Sequence, residues 1–182
     1  MKVLIVGGVA GGAGAAARLR RNDEKAEIIL FEKGEYISFA NCGLPYYIGG
    51  TITERAKLQV QTPQAFRARF NVDVRVQHEV TGVDSAAKTV TVKNHATGET
   101  YTESYDSLVL SPGASPIRPK MPGMEENHIF TLRNIPDTYA IYDHIQQAAP
   151  KTAAVIGAGF IGLEMAENLA DRGLAVSVVE AA

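Results

Sequence analysis

The sequence predicts an α/β chain: a parallel, doubly wound sheet with an inserted antiparallel meander, followed by the start of a second sheet of the same kind. Two observations carry that expectation. A strand, a glycine-rich turn, a helix and an acid-ended strand follow one another within residues 3–32, and the same order returns within residues 153–180. Between the two frames the hydrophobic period shortens to the two-residue alternation of half-buried strands. Residues 1–114 therefore read as a first domain with its meander at about 72–104, residues 115–150 as a linker and helix, and residues 151–182 as the first part of another domain.

Val3 to Val6 is a continuous apolar run, as expected of a parallel strand buried on both faces. Gly7-Gly8-Val9-Ala10-Gly11-Gly12 follows, then an alanine-rich helix from Ala13 to about Asn22, then Ile28–Phe31 ending in Glu32. Glycine suits a tight turn and lets backbone approach a pyrophosphate, which then rests on the helix amino end. Glu32 stands twenty residues after Gly12, where a carboxylate accepts hydrogen bonds from a ribose. The middle glycine of G-x-G-x-x-G is Val9 here.

Residues 51–71 read as a loop and a short helix, with Thr62-Pro63 at its start because proline suits the first helical position. Val72–Val76, Lys88–Val92 and Tyr101–Ser104 alternate, and Thr97-Gly98 separates the last two, which predicts the meander. Leu108–Leu110 is a buried strand ending in the turn Ser111-Pro112-Gly113-Ala114, and three prolines mark 115–123 as linker. A helix is expected from Asp137 to Ala149. The second frame comprises Ala153–Ile156, the full motif Gly157-Ala158-Gly159-Phe160-Ile161-Gly162, a helix Leu163–Arg172 stopped by Gly173, and Val176–Val179 closed by Glu180. One glycine motif is weak evidence; two in complete frames predict two dinucleotide sites. A dinucleotide-binding half needs three or more parallel strands, so the second frame reads as breaking off inside a domain.

Composition removes several classes of function. A net charge of −2 over 182 residues argues against a nucleic-acid binder, which usually shows a basic face. No apolar run approaches the length of a membrane span, and no secretory signal precedes the first strand. The single cysteine forms no internal disulfide, which fits a reducing cytoplasm.

That cysteine, Cys42, lies in Ser38-Phe39-Ala40-Asn41-Cys42-Gly43-Leu44-Pro45-Tyr46-Tyr47-Ile48-Gly49-Gly50. Free cysteine is commonly a buried, inert hydrophobe. Two dinucleotide frames around it favour chemistry instead. With no partner in the chain, it pairs with an external thiol or becomes a sulfenic acid. Arg18, Arg20 and Arg21 recur on the first helix, and Arg67 and Arg69 follow later beside Phe66 and Phe70. Such runs are usually solvated helix faces, although arginine also suits phosphate. His78, His95, His128 and His144 are scattered without metal-ligand spacing.

Two motifs about 150 residues apart with a cysteine after the first resemble the FAD- and NAD(P)H-dependent pyridine nucleotide-disulfide oxidoreductases. Ser38 to Tyr46 looks like the single-cysteine branch, and most like the coenzyme A disulfide reductases, including rhodanese-fused forms that reduce persulfides. The likeness runs over the whole chain, through Tyr105–Ala114 and Thr131-Leu132-Arg133-Asn134, and Val9-Ala10 is ordinary in that family. It implies FAD at Gly7, Ala10, Gly12, Glu32, Lys33, the backbone near Val80, Ser111, Gly113, Ala114 and Arg133. It implies NADH rather than NADPH at Gly157, Gly159, Phe160, Ile161, Gly162, Glu164 and Glu180. Gly14, Arg18, Arg21, Ser38 and Asn41 match positions that contact coenzyme A, and Cys42 would carry a mixed disulfide with it. The related NADH oxidases and peroxidases, which cycle through sulfenic acid, typically hold a histidine where Ala10 stands here. Full members are more than twice as long and form homodimers through later sequence, so the chain is expected to be the N-terminal part of such an enzyme, taking a small disulfide or persulfide as substrate.

Overall fold

The computed structural model describes residues 1–120 and 122–181; Met121, in the expected linker, and Ala182, in the expected second domain, lie outside them. The strands are β1 (Lys2–Val6), β2 (Glu27–Glu32), β3 (Asp73–Val76), β4 (His78–Asp84), β5 (Thr89–Asn94), β6 (Thr100–Ser104), β7 (Ser107–Leu110), β8 (Thr152–Ile156) and β9 (Ala175–Val179). The α-helices are α1 (Ala10–Asn22), α2 (Leu44–Gly49), α3 (Pro63–Phe70), α4 (Ile135–Ala148) and α5 (Phe160–Asp171). Contacts divide the chain into two units, residues 1–39 with 59–114 and residues 40–58 with 115–182.

In the first unit β1 lies inside a parallel sheet of order β3-β2-β1-β7. Successive side chains of a strand point to opposite faces, so β1 and β2 feed two cores. Val3, Ile5, Ile28 and Leu30 pack with Ala13 and Ala16 of α1 and Phe66 of α3. Leu4, Ile29 and Phe31 pack on Val90 and Val92 of β5. The unbroken apolar run in β1 follows from this double burial. Small residues let α1 sit close to the strand: a Cβ on Gly12 would collide with the Gly7 carbonyl oxygen.

Two expectations change. The run Val72–Val76, whose alternation placed it in the meander, instead extends the parallel sheet, with Ile29 opposite Asp73 and Glu32 opposite Val76. A half-covered edge strand alternates as an antiparallel one does, so periodicity could not separate them. The meander is β4-β5-β6, all antiparallel. Its first strand is polar and shifts register between Val80 and Gly82, which breaks the alternation that would have revealed it. Strand β7, expected to be buried, is the opposite edge, and Leu110 is 61% exposed.

In the second unit β8 and β9 pair in parallel. Met165 and Leu169 of α5 pack with Ile141 of α4, Ile48 of α2 and the partly covered Ala153, Val155 and Val176 of the strands. No described helix is long and apolar enough to cross a membrane.

Candidate active site

Both glycine turns follow the first strand of a parallel pair, at the carboxyl end, where open α/β sheets place ligands. In the first turn, Gly7 N donates to Phe31 O and Ser111 N to Val6 O, each at 2.8 Å, drawing together the ends of β1, β2 and β7. In the second, Gly157 N donates to Val179 O at 2.8 Å. The helices behind them share a further feature. Neither α1 nor α5 has a side-chain cap at its amino end, whereas Thr62 Oγ1 accepts from Ala65 N at the start of α3 and Asn134 Oδ1 from Asp137 N at the start of α4. A helix start leaves its first amides without intrahelical partners, and uncapped amides behind a glycine turn suit a phosphate.

The strand-end carboxylates repeat the pattern. Glu32 Oε2 accepts from Gly8 N at 2.8 Å and Oε1 from Gly34 N at 2.9 Å. Glu180 Oε2 accepts from Ala158 N at 2.5 Å. A carboxylate has about four acceptor positions, so each retains capacity for ribose hydroxyls. Near the first loop, Ser111 Oγ would be 3.0 Å from a Cβ on Gly11, Gly113 has a φ of +72°, and Ala114 and Lys33 are exposed. The Val80 side chain packs on the β5 core. Arg133 belongs to the other unit, immediately before α4, where its N donates to Asp137 Oδ2 at 2.8 Å. In the second frame Phe160 and Ile161 are exposed, and Glu164 O accepts from Asn168 Nδ2 at 2.8 Å.

A cavity of about 310 Å³ opens in the first unit between α1 and α3. Ala10, Ala13, Gly14, Ala17 and Arg21 line it at the three-to-four spacing of one helix face. Phe66, Arg69 and Phe70 face them from α3, with Gln61 alongside. Ser38 and Phe39 complete the rim. Ser38 is held in the left-handed region, φ +44°, by three backbone bonds: its N donates to Gly8 O at 2.9 Å, and its O accepts from Val60 N at 2.9 Å and Gln61 N at 3.2 Å. A non-glycine residue keeps such a conformation only where its surroundings dictate it. Arg18 is exposed and outside the lining, and Arg20 is taken up by protein carbonyls, those of Phe70, Asp23, Glu24, Ala26 and Asn71.

Asn41 and Cys42 lie in the second unit, in a 3₁₀ turn, Asn41–Gly43, that runs straight into α2. The Cys42 thiol is free and its residue exposed. Asn41 Oδ1 is buried without a hydrogen-bond donor, which leaves an acceptor for an incoming N–H or S–H beside the thiol's own turn. Helix α2 is fixed from several sides. Arg172 Nε donates to Ile48 O at 2.8 Å while its guanidinium lies over Tyr142 at 4.9 Å. The Tyr47 ring sits 4.9 Å from Tyr142 and 5.8 Å from Tyr139, and Arg55 spans Tyr47, Asp143 and the face of Tyr139. A Cβ on Gly49 would collide with Asn168 Oδ1. Among the described residues no group of three or more His, Cys, Asp or Glu side chains is arranged to hold a metal ion.

A family model described as pyridine nucleotide-disulphide oxidoreductase matches residues 1–182. The chain belongs to that family. The coenzyme A disulfide reductase of Staphylococcus haemolyticus is 46% identical over 178 residues, 98% of this chain and 40% of the relative. The crystal structure of reduced Bacillus anthracis CoADR-RHD superposes with a TM-score of 0.97 at 59% identity, covering 98% of this chain and 32% of that one. A water-forming NADH oxidase from Lactobacillus brevis bound to NADH gives 0.93 at 32% identity, covering 99% and 39%. The chain thus spans about two fifths of the length of the curated relatives it matches.

The family was legible in the two glycine frames; the elements around them were less so. Helix α2 was not expected, although Pro45 in its first turn and Gly50 after its end were the available signals. Gln61 reaches the cavity because the segment after the Phe39–Gln59 bridge is held to Ser38, a pairing with no local signature.

Proposed function

We propose that the complete protein is an NADH-dependent coenzyme A disulfide reductase in which Cys42 is the catalytic thiol. The observation that carries this reading is the cavity along α1. Arg21 and Arg69 line it with no acidic residue beside them, and Ser38 and Phe39, shortly before the sole cysteine in the sequence, form its rim. Such a lining suits the phosphates of a long-armed thiol, to which Arg21 offers charge-assisted hydrogen bonds.

In this reading the Cys42 thiolate attacks one sulfur of the substrate disulfide, the old S–S bond breaks, and a Cys42–coenzyme A disulfide forms as the first thiol leaves. Two electrons originating from NADH then cleave that bond, freeing the second thiol and regenerating Cys42; one proton from solvent completes the balance of one disulfide, NADH and H⁺ to two thiols and NAD⁺. A coenzyme A persulfide would enter by the same attack. FAD, when bound, supplies the two-electron relay between nicotinamide and sulfur. Gly7, Ala10 and Gly12 would carry its pyrophosphate, Glu32 its ribose and Lys33 the adjoining edge. The backbone near Val80, Ser111, Gly113, Ala114 and Arg133 would complete its contacts. Gly157, Gly159 and Gly162 with Phe160 and Ile161 would seat the nicotinamide cofactor, Glu164 would border it, and Glu180 would take its ribose in preference to a 2′-phosphate. The cytoplasmic setting and a homodimer belong to the same proposal.

An oxidase cycling through sulfenic acid shares the fold, as the Lactobacillus brevis neighbour indicates. Ala10 weighs against it, because no imidazole stands at that place in the glycine loop. The test is Cys42→Ser in the complete protein. NADH should still bleach the bound flavin, while reduction of coenzyme A disulfide should fall to background. Wild-type turnover by the variant would refute the assignment.

A further inference from the structure

Helix α2 has six residues, too few to hold itself by its own hydrogen bonds. The Cys42 turn runs into it without a break: Gly43 N donates to Ala40 O at 2.9 Å and Leu44 N to Asn41 O. The thiol and the helix therefore move as one piece, and what fixes α2 also fixes Cys42. A helix end leaves its last carbonyls without intrahelical partners. Two of them are closed locally, where Gly50 N, at a φ of +94°, donates to Tyr46 O and Tyr47 O at 3.1 and 3.2 Å. The next is not. Ile48 is fully buried, and its carbonyl takes its donor from Arg172 Nε at 2.8 Å, 124 residues further along. Without that donor the carbonyl would have neither protein nor solvent to satisfy it.

Arg172 is the cap residue at the carboxyl end of α5, the helix that begins at the second glycine loop. Its guanidinium also lies over the Tyr142 ring of α4, 4.9 Å from the centroid, so one side chain ties three helices together. It completes a row. Glu164, Asn168 and Arg172 recur at every fourth residue, along one face of α5. Asn168 is 3% exposed; its Nδ2 donates to Glu164 O at 2.8 Å, and its Oδ1 lies where a Cβ on Gly49 of α2 would go. Phe160, the first residue of α5, and Arg172 are twelve residues apart, about 18 Å at 1.5 Å per residue. Arg172 is thus remote from the glycine loop and in direct contact with the helix that carries the thiol turn.

We propose that Arg172 is a positioning residue for Cys42: acting through α2, it holds the thiol where disulfide exchange can occur. The proposal rests on the reading of Cys42 as the catalytic thiol and names the side chain that sets its place. Exchange needs the thiolate to attack a disulfide sulfur, and a small misplacement of a reacting group is costly even when its cause lies far from the chemistry. Loosening α2 slows the sulfur step and leaves reduction of the flavin by NADH alone.

The experiment follows two rates in the complete holoenzyme: bleaching of the flavin by NADH on rapid mixing, and steady-state turnover of coenzyme A disulfide. Arg172→Met, which keeps an unbranched side chain without a donor, should lower kcat for the disulfide between roughly tenfold and a hundredfold. KM should stay within about twofold, as for a residue that does not bind substrate, and the flavin should bleach at the wild-type rate. Arg172→Lys, which keeps the charge and a donor, should recover part of kcat. Gly49→Ala, which presses α2 away from Asn168 with Arg172 intact, should show the same split. Arg20→Ala, which removes a fold contact of the first unit, should lower thermal stability without moving the ratio of the two rates. Should Arg172→Met fail to retain flavin, Arg172→Gln, with a shorter and neutral donor, serves in its place. An unaltered kcat in the Arg172 variants, or a loss of both rates in proportion, overturns the positioning role while the reductase reading stands. A wild-type holoenzyme that bleaches with NADH but never reduces coenzyme A disulfide overturns that reading, and this proposal with it.

Discussion

The two glycine frames are nearly the same local object in different surroundings. Gly7 and Gly157 take φ of +94° and +101°, and each donates to the end of the neighbouring strand at 2.8 Å. A Cβ on Gly12 or Gly162 would strike the carbonyl of Gly7 or Gly157. Glu32 and Glu180 accept from the amide of the next loop residue, Gly8 or Ala158. Burial is where they part. Strand β1 has a neighbour on each side and both faces covered, and Leu4 and Ile5 are fully buried. Among the described residues strand β8 pairs with β9 alone, and Ile156 is 70% exposed. A Cβ on Gly7 would meet Ser111, whereas one on Gly157 would meet nothing within 4 Å. The turn, the helix start and the acid are thus fixed locally, while core stability comes from the strands and layers around them.

That contrast can be broken most sharply in the cores. Leu30→Ala, at a fully buried site, should cost about 2–5 kcal/mol, while Val178→Ala, at a residue 43% exposed, should cost less than about 1 kcal/mol. Urea unfolding of both variants in the 182-residue chain decides it; equal costs would mean that the second frame has a cover of its own. The loops come next. Alanine at Gly7 or Gly157 meets the same left-handed strain, worth about 1–2 kcal/mol, but only Gly7→Ala also presses on Ser111. Gly7→Ala should therefore lose bound flavin and melt lower, and matched melting temperatures would remove the distinction.

The acids sharpen the comparison in function. Glu180→Arg should narrow or reverse a preference for NADH over NADPH, by roughly tenfold for each 1.4 kcal/mol, and Glu32→Gln should leave that ratio alone. Ratios of kcat/KM for the two nucleotides measure this, and a shift from Glu32→Gln would show that the two acids are not separate in role.

The smallest effect lies in a polar clasp of the first unit. Burial alone would raise the Glu103 carboxyl, but hydrogen bonds from Lys2 at 2.5 Å and Arg75 at 2.8 Å outweigh it and hold it below the usual range. Arg75 also bonds Tyr101 and Asp73, and Glu27 lies 3.6 Å from Lys2. A depressed carboxylate stabilises above its unfolded pKa, and that contribution is lost as pH falls through the folded value. The stability gap between wild type and Glu103→Gln, about 1 kcal/mol for a half-buried clasp near the surface, should be steady near neutrality and close below about pH 4. A gap that widens in acid would contradict the clasp.

These residues also mark what a sequence can and cannot carry. The glycine loops, Glu32 and Glu180 were legible because their partners lie within the same thirty residues. Val72–Val76 was legible as a strand but not as a member of the parallel sheet, since a half-covered edge alternates whichever way its neighbour runs. The arginines were legible as a cluster and not as individuals: Arg20 is set apart by carbonyls of Phe70 and Asn71, fifty residues away. Nothing periodic in residues 40–58 announces what α2 packs against, because that depends on Arg172, Tyr142 and Asn168, more than ninety residues further along.

The role proposed for Cys42 is disulfide exchange with a coenzyme A thiol. Intact-mass measurement of the complete protein, purified without reductant, tests it most directly. A coenzyme A-sized adduct should map to Cys42, disappear on reduction with NADH, and be absent from Cys42→Ser. An unmodified thiol that gains only oxygen on exposure to peroxide, and never an adduct with coenzyme A disulfide, would contradict it and assign Cys42 to sulfenic-acid chemistry instead.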